Sequence, residues 1–117
     1  MSDADEIREL ITGWVAAVAD CDLAGVIARH DPDIVMFDVP PPYRGVRGID
    51  EYRESWEPFF DWLRQGSTFE LLELDVVAGV DVAFAYALLR CGTPEDFAAN
   101  PENRLRVTVG LRKVDDR

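Results

Sequence analysis

The sequence predicts an α+β fold, with three N-terminal-side helices packed on one face of a strongly curved antiparallel sheet. Two observations carry this. Apolar residues recur at three- and four-residue steps up to Leu63, and from Ser67 onward they recur at every second residue. Helices gathered ahead of a strand meander bury their stripes against one sheet face. The 117 residues make a single domain, 1–117, and 48% hydrophobic residues supply the core that a disordered chain lacks.

Residues 4–19 carry the strongest helical signal, with Ile7, Leu10, Ile11, Trp14, Val15 and Val18 on one stripe. Asp3 is the expected cap and Glu6 its capping-box partner. A short second helix follows Asp22 and buries Leu23, Val26 and Ile27. It ends by Asp31, because Pro32 disfavours helical geometry in the residue before it. Residues 34–39 form a β-branched and aromatic strand, which Pro40, Pro41 and Pro42 terminate. Gly45 and Gly48 bracket a turn region. A third helix then carries Ile49, Tyr52, Trp56, Phe59, Phe60 and Leu63, capped near Gly48 or Asp50 and kinked or shortened at Pro58.

In the second half, Phe69 and Leu71, then Leu72, Leu74 and Val76, alternate with a one-residue slip, the mark of a bulged strand. Gly79, Val80 and Asp81 make a turn. Val82, Phe84, Tyr86, Leu88 and Arg90 share one face of the next strand, with Ala83, Ala85 and Ala87 on the other. Residues 93–103, with Pro94 and Pro101, read as a loop. The stretch 104–114 sets Leu105, Val107, Val109 and Leu111 against Arg104, Arg106, Thr108 and Arg112, the second set reading as the outer sheet face.

Twelve basic residues against 23 acidic ones give a net charge of -11. That excludes a phosphate-tracking nucleic-acid surface and disfavours anionic membranes. No apolar run approaches the roughly 18 residues of a membrane span. The acidic start does not resemble an export signal, and Cys21 and Cys91 lack CxxC or metal-ligand spacing. The expectation is a cytoplasmic protein with free thiols, no metal and no cofactor.

Four segments carry a family resemblance: Trp14-Val-Ala-Ala-Val-Ala-Asp-Cys-Asp-Leu-Ala-Gly-Val26, Ile34-Val-Met-Phe-Asp38, Gly48-Ile-Asp-Glu-Tyr52 and Arg106-Val-Thr-Val-Gly-Leu-Arg-Lys-Val114. In this order the chain resembles the nuclear-transport-factor-2-like superfamily, in its ketosteroid-isomerase-like and SnoaL-like branch, over nearly its whole length. The resemblance implies a cone whose mouth holds an apolar pocket. It implies either a cofactor-free isomerase or cyclase moving a proton on an apolar carbonyl compound, or a non-catalytic ligand-binding or dimerisation module. The family continues past a turn like Asp115-Asp116 into a final strand. This sequence does not supply that strand, so an open edge is expected along 104–114.

By resemblance, Asp38 occupies the position of the general base. From the residues themselves, it ends an apolar strand and shares a face with Ile34 and Met36. Either it points into the cavity, where apolar walls make a carboxylate a useful proton shuttle, or it caps the turn into the prolines in water. The family's two oxyanion donors fall on Trp14 and about Val109, so authentic steroid isomerisation is not expected. Substrate-binding candidates are Trp14, Tyr52, Trp56, Phe84, Tyr86 and Arg90, each with a core or surface alternative. Arg90 either pairs with Asp38 or a substrate carboxylate, or sits at the rim in water. His30, the one imidazole, sits at a helix end beside Asp31, where terminal carbonyls are its natural partners. The implied partners are a small apolar organic ligand and a second copy forming a homodimer through the outer sheet face, with no nucleic acid and no membrane.

Overall fold

The computed structural model describes residues 2–114 and begins with helix α1 (Asp3–Ala19). Its cap is Ser2, one residue before the expected Asp3, because the Ser2 hydroxyl accepts the Asp5 N–H at 3.1 Å. Asp3 instead stands in the first turn, where its charge favours the helix dipole, and pairs with Lys113 at 2.9 Å. Helix α2 (Leu23–Ile27) starts at Asp22, whose carboxylate accepts the Gly25 N–H at 3.2 Å. A Cβ on Gly25 would come within 2.9 Å of the Ala17 Cβ, so this glycine lets α2 lie against α1.

Helix α3 (Ile49–Leu63) begins at Gly48 and runs through Pro58 to the end its apolar pattern marked. The expected shortening does not occur. Pro58 and Glu54, whose carbonyl loses its partner, are both on the exposed side of the helix, where losing one bond costs least. Ahead of α3, β1 (Val35–Met36) and β2 (Val46–Arg47) form a small antiparallel sheet of their own. The strand expected over 34–39 is thus shorter, and β2 falls in the predicted turn region. The chain folds back at Gly45, whose φ of 91° suits glycine, and a Cβ there would meet the Met36 carbonyl oxygen at 2.9 Å.

The main sheet is antiparallel, with β4 (Val82–Gly92) between β3 (Thr68–Ala78) and β5 (Leu105–Arg112). The slip expected in β3 is present: pairing shifts between Leu71 and Glu73, and Leu72 is the extra residue. Between β4 and β5 the sequence was expected to form a loop, but α4 (Pro94–Ala99) is there. Thr93 and Asp96 close a capping box, with Thr93 N–H to Asp96 Oδ2 at 2.8 Å and Asp96 N–H to Thr93 Oγ1 at 3.1 Å. These bonds, the Thr93 backbone one foremost, hold the Asp96 carboxyl below the usual range. Pro94 here opens a helix instead of breaking one.

The faces of β4 are the reverse of the pocket prediction. Ala85 (0% exposed) and Leu89 (1%) turn inward, whereas Phe84 (47%) and Tyr86 (49%) are on the outer face. Alternation separates two faces but does not say which is covered when both are apolar. The alanines leave room on the inner side, and larger groups come from the neighbours: Phe69 and Leu71 on β3, Leu105 and Val107 on β5. On β5 the outer row of Arg106, Thr108 and Arg112 is exposed, as the alternation indicated. The core lies between α1, α2 and α3 and the inner faces of β3 and β4, with Val18, Val26 and Leu89 fully enclosed. The turn expected at Asp115-Asp116 lies outside the described residues. Among the described residues no helix is long and apolar enough to cross a membrane.

Candidate functional site

Helical spacing on α3 lines up Tyr52, Trp56 and Phe59 along one flank, and α1 brings Trp14 across to meet them. The rings meet edge to face. Trp56 lies 5.9 Å from Trp14 at 77° and 5.7 Å from Tyr52 at 79°. Phe69, at the start of β3, closes the box 6.0 Å from Trp14. Each such contact is worth roughly 0.5–1.5 kcal/mol beyond its buried area.

Tyr52 stands at the centre, 2% exposed. Its hydroxyl oxygen accepts the Trp14 Nε1–H at 3.2 Å. The Trp56 indole N–H is buried and makes no hydrogen bond of good geometry, although it is near enough to the same oxygen to favour the phenolate. Burial pushes the Tyr52 phenol above its ordinary 10.0, and the Trp14 and Trp56 donors pull it part of the way back. Among the described residues, no acceptor receives the Tyr52 proton. The His30 ring lies 4.8 Å from the Tyr52 ring at 31°, and its Nδ1 is 3.1 Å from the Ala28 carbonyl oxygen.

A raised folded value means that folding favours the protonated phenol. Its stabilising contribution is complete below about pH 10 and is lost as pH rises through the folded value. Phenolate difference absorbance should therefore show a tyrosine titrating above the ordinary 10.0 that disappears in Tyr52→Phe. A variant with the same titration as the parent would contradict the assignment.

Asp38 requires correction. It is exposed, and its Oδ1 accepts the N–H of the adjacent Val39 at 2.7 Å. The strand ends at Met36, so alternation cannot be carried two residues further to aim this side chain inward. Burial first, then the charges of Asp38 and Asp96, push the Cys91 thiol up. Asp38 is thus on the exposed surface, not on a buried wall. Arg90 does not pair with it; its guanidinium carbon lies 4.3 Å over the Phe97 ring of α4, with Nε buried and unbonded. Two concavities, of about 330 and 320 Å³, lie away from Asp38, one beside Cys21 and Leu63 and one on the outer sheet face beside Tyr86. Among the described residues no group of three or more His, Cys, Asp or Glu side chains is placed to hold a metal.

The model of the SnoaL-like domain matches residues 7–117. The chain belongs to the SnoaL-like family. A solved NTF2-like protein of unknown function from Pseudomonas putida is 36% identical, with a TM-score of 0.82 over 97% of this chain and 78% of that one. A cystatin-like-fold protein of unknown function from Nostoc punctiforme shares the fold at 20% identity, with a TM-score of 0.73 over 98% of this chain and 83% of that one. A candidate ketosteroid isomerase from Shewanella frigidimarina shares it at 16% identity, with a TM-score of 0.70 over 92% and 83%. None of the curated proteins matches the chain.

This SnoaL-like domain brings Trp14, Tyr52 and Trp56 together and sends Phe84 and Tyr86 to the opposite side of the sheet. Val109, paired with Ala85 on the inner face, offers no donor. Sequence reasoning missed His30 against Tyr52, since the turn after α2 passes through Arg29 at φ 59°. It also missed Phe97 over Arg90, because the prolines of 93–103 hid a helix.

Proposed function

We propose that this SnoaL-like domain binds a small, largely apolar molecule through one hydrogen-bond-accepting oxygen, with Tyr52 as the donor. The observation that carries this is the buried Tyr52 hydroxyl, whose oxygen accepts from Trp14 while its proton has no acceptor among the described residues. A buried donor left unpaired costs about 1–3 kcal/mol, and an incoming oxygen would recover it. Accepting from an indole polarises the phenol and strengthens its own donation. Half-buried Ile34, Met36, Leu71, Ala87, Leu105 and Val107 pack against the apolar cluster to which Tyr52 belongs. With a net charge of -11, a neutral carbonyl suits the protein better than an anion.

Cyclic ketones of graded size, titrated into the protein, should raise its thermal midpoint saturably. In Tyr52→Phe the affinity for the best probe should fall about fivefold, the worth of a hydrogen bond near 1 kcal/mol. The absence of any shift with every ketone would end this reading.

A second reading is cofactor-free isomerase or cyclase chemistry in which the exposed Asp38 carboxylate moves a proton, in keeping with the fold shared with the candidate ketosteroid isomerase. Asp38→Asn should then abolish turnover of a bound ketone while leaving the midpoint shift intact. Unchanged turnover in that variant leaves only the binding module.

A further inference from the structure

We propose that His30 is the second polar contact of the Tyr52 site and selects, among small ketones, those that also carry a hydroxyl group. The inference rests on Tyr52 as the donor to the carbonyl and adds to it an acceptor for a hydrogen of the bound molecule. Main-chain bonds set the imidazole in place. The turn after α2 passes through Arg29 at φ 59°, and the next residue lays its half-buried ring 4.8 Å from the Tyr52 ring. The same segment is tied to the start of the helix that carries Tyr52. Gly48 N–H donates to the Ile34 carbonyl at 2.8 Å, and Ile49 N–H to the Pro32 carbonyl at 3.0 Å. The relative position of the two rings therefore does not depend on their own contact alone.

The backbone also fixes which ring nitrogen carries hydrogen. A carbonyl oxygen only accepts, so the 3.1 Å contact with Ala28 places the hydrogen on Nδ1. The neutral imidazole then keeps its lone pair on Nε2, to which the described residues offer no donor. The neighbouring carboxylate does not compete for the ring. Asp31 Oδ1 accepts the Asp33 N–H at 2.8 Å, and Oδ2 faces Arg112 of β5. Tyr52 thus holds a proton without an acceptor, and His30 an acceptor without a proton, on two rings in contact. A molecule with a carbonyl oxygen and a hydroxyl satisfies both. A simple ketone satisfies only the first. A methyl ether of the same shape presses carbon onto the lone pair and leaves it unpaired.

The probes are the positional isomers of hydroxycyclohexanone, their O-methyl ethers and cyclohexanone, titrated calorimetrically at about pH 8, where an ordinary imidazole is neutral. The isomers step the hydroxyl away from the carbonyl and so sample the span between the two groups. At least one hydroxyketone should bind about fivefold more tightly than its own ether, the equivalent of one hydrogen bond. His30→Phe keeps an aromatic ring and removes the lone pair, so this advantage should vanish. His30→Gln, which retains an acceptor, should keep part of it. No hydroxyketone tighter than its ether in the parent chain, or an advantage that survives in His30→Phe, overturns the proposal and leaves Tyr52 as the polar contact. Failure of cyclohexanone and every derivative to bind brings down the Tyr52 reading as well, so the two failures are told apart.

Discussion

Replacing Trp56 with alanine should lower the unfolding free energy by about 3–5 kcal/mol, read from urea midpoints at constant slope. The residue is 8% exposed and touches Trp14, Tyr52, Phe59 and Phe60, the last two at 5.4 and 5.8 Å. Four rings anchored on two helices and held around one indole do not close over the space it leaves. Trp56→Phe should cost less for a specific reason. It gives up contact area, but it also removes an N–H that is buried without a proper partner. A loss under about 1 kcal/mol in the alanine variant would show that the box is loosely packed.

The second large effect separates the two faces of β4. Ala85→Leu should destabilise by about 1–3 kcal/mol, because Ala85 is fully enclosed and three added carbons have nowhere to go. Phe84→Ser, one residue away, should change the stability of the isolated chain by roughly 0.5 kcal/mol or less. The measurement should be made at high dilution, since Phe84 lies on an exposed apolar face. The face assignment drawn from alternation alone predicts the opposite order, so the pair decides between them.

That reversal shows where one sequence stops being informative. Local signals with a single physical cause were readable: the stripe of α1, the slip at Leu72, the polar outer row of β5 and the start of α3 at Gly48. Each depends on periodicity or on a backbone restriction. Whether Ala85 or Phe84 faces the helices depends on what crosses above them, which no short window contains. A rule that buries the larger residues fails when an outer face is itself apolar. α4 was missed for a different reason. Pro94 breaks a helix from inside but starts one from its first position, and only the reciprocal Thr93–Asp96 bonds distinguish the two. That Trp14, Tyr52 and Trp56 come together was legible because helical spacing gathers them, and the structure packs them into the core. Asp38 was misplaced because its strand ends two residues early and the side chain turned to its own backbone.

The right-angled meeting of Trp14 and Trp56 has an optical consequence. Two indoles with centroids 5.9 Å apart and planes at 77° have excited states that mix, and the mixing depends steeply on separation and tilt. The native chain therefore carries its own chiroptical gauge: an exciton couplet whose amplitude reports the spacing between the first and third helices, with no label attached.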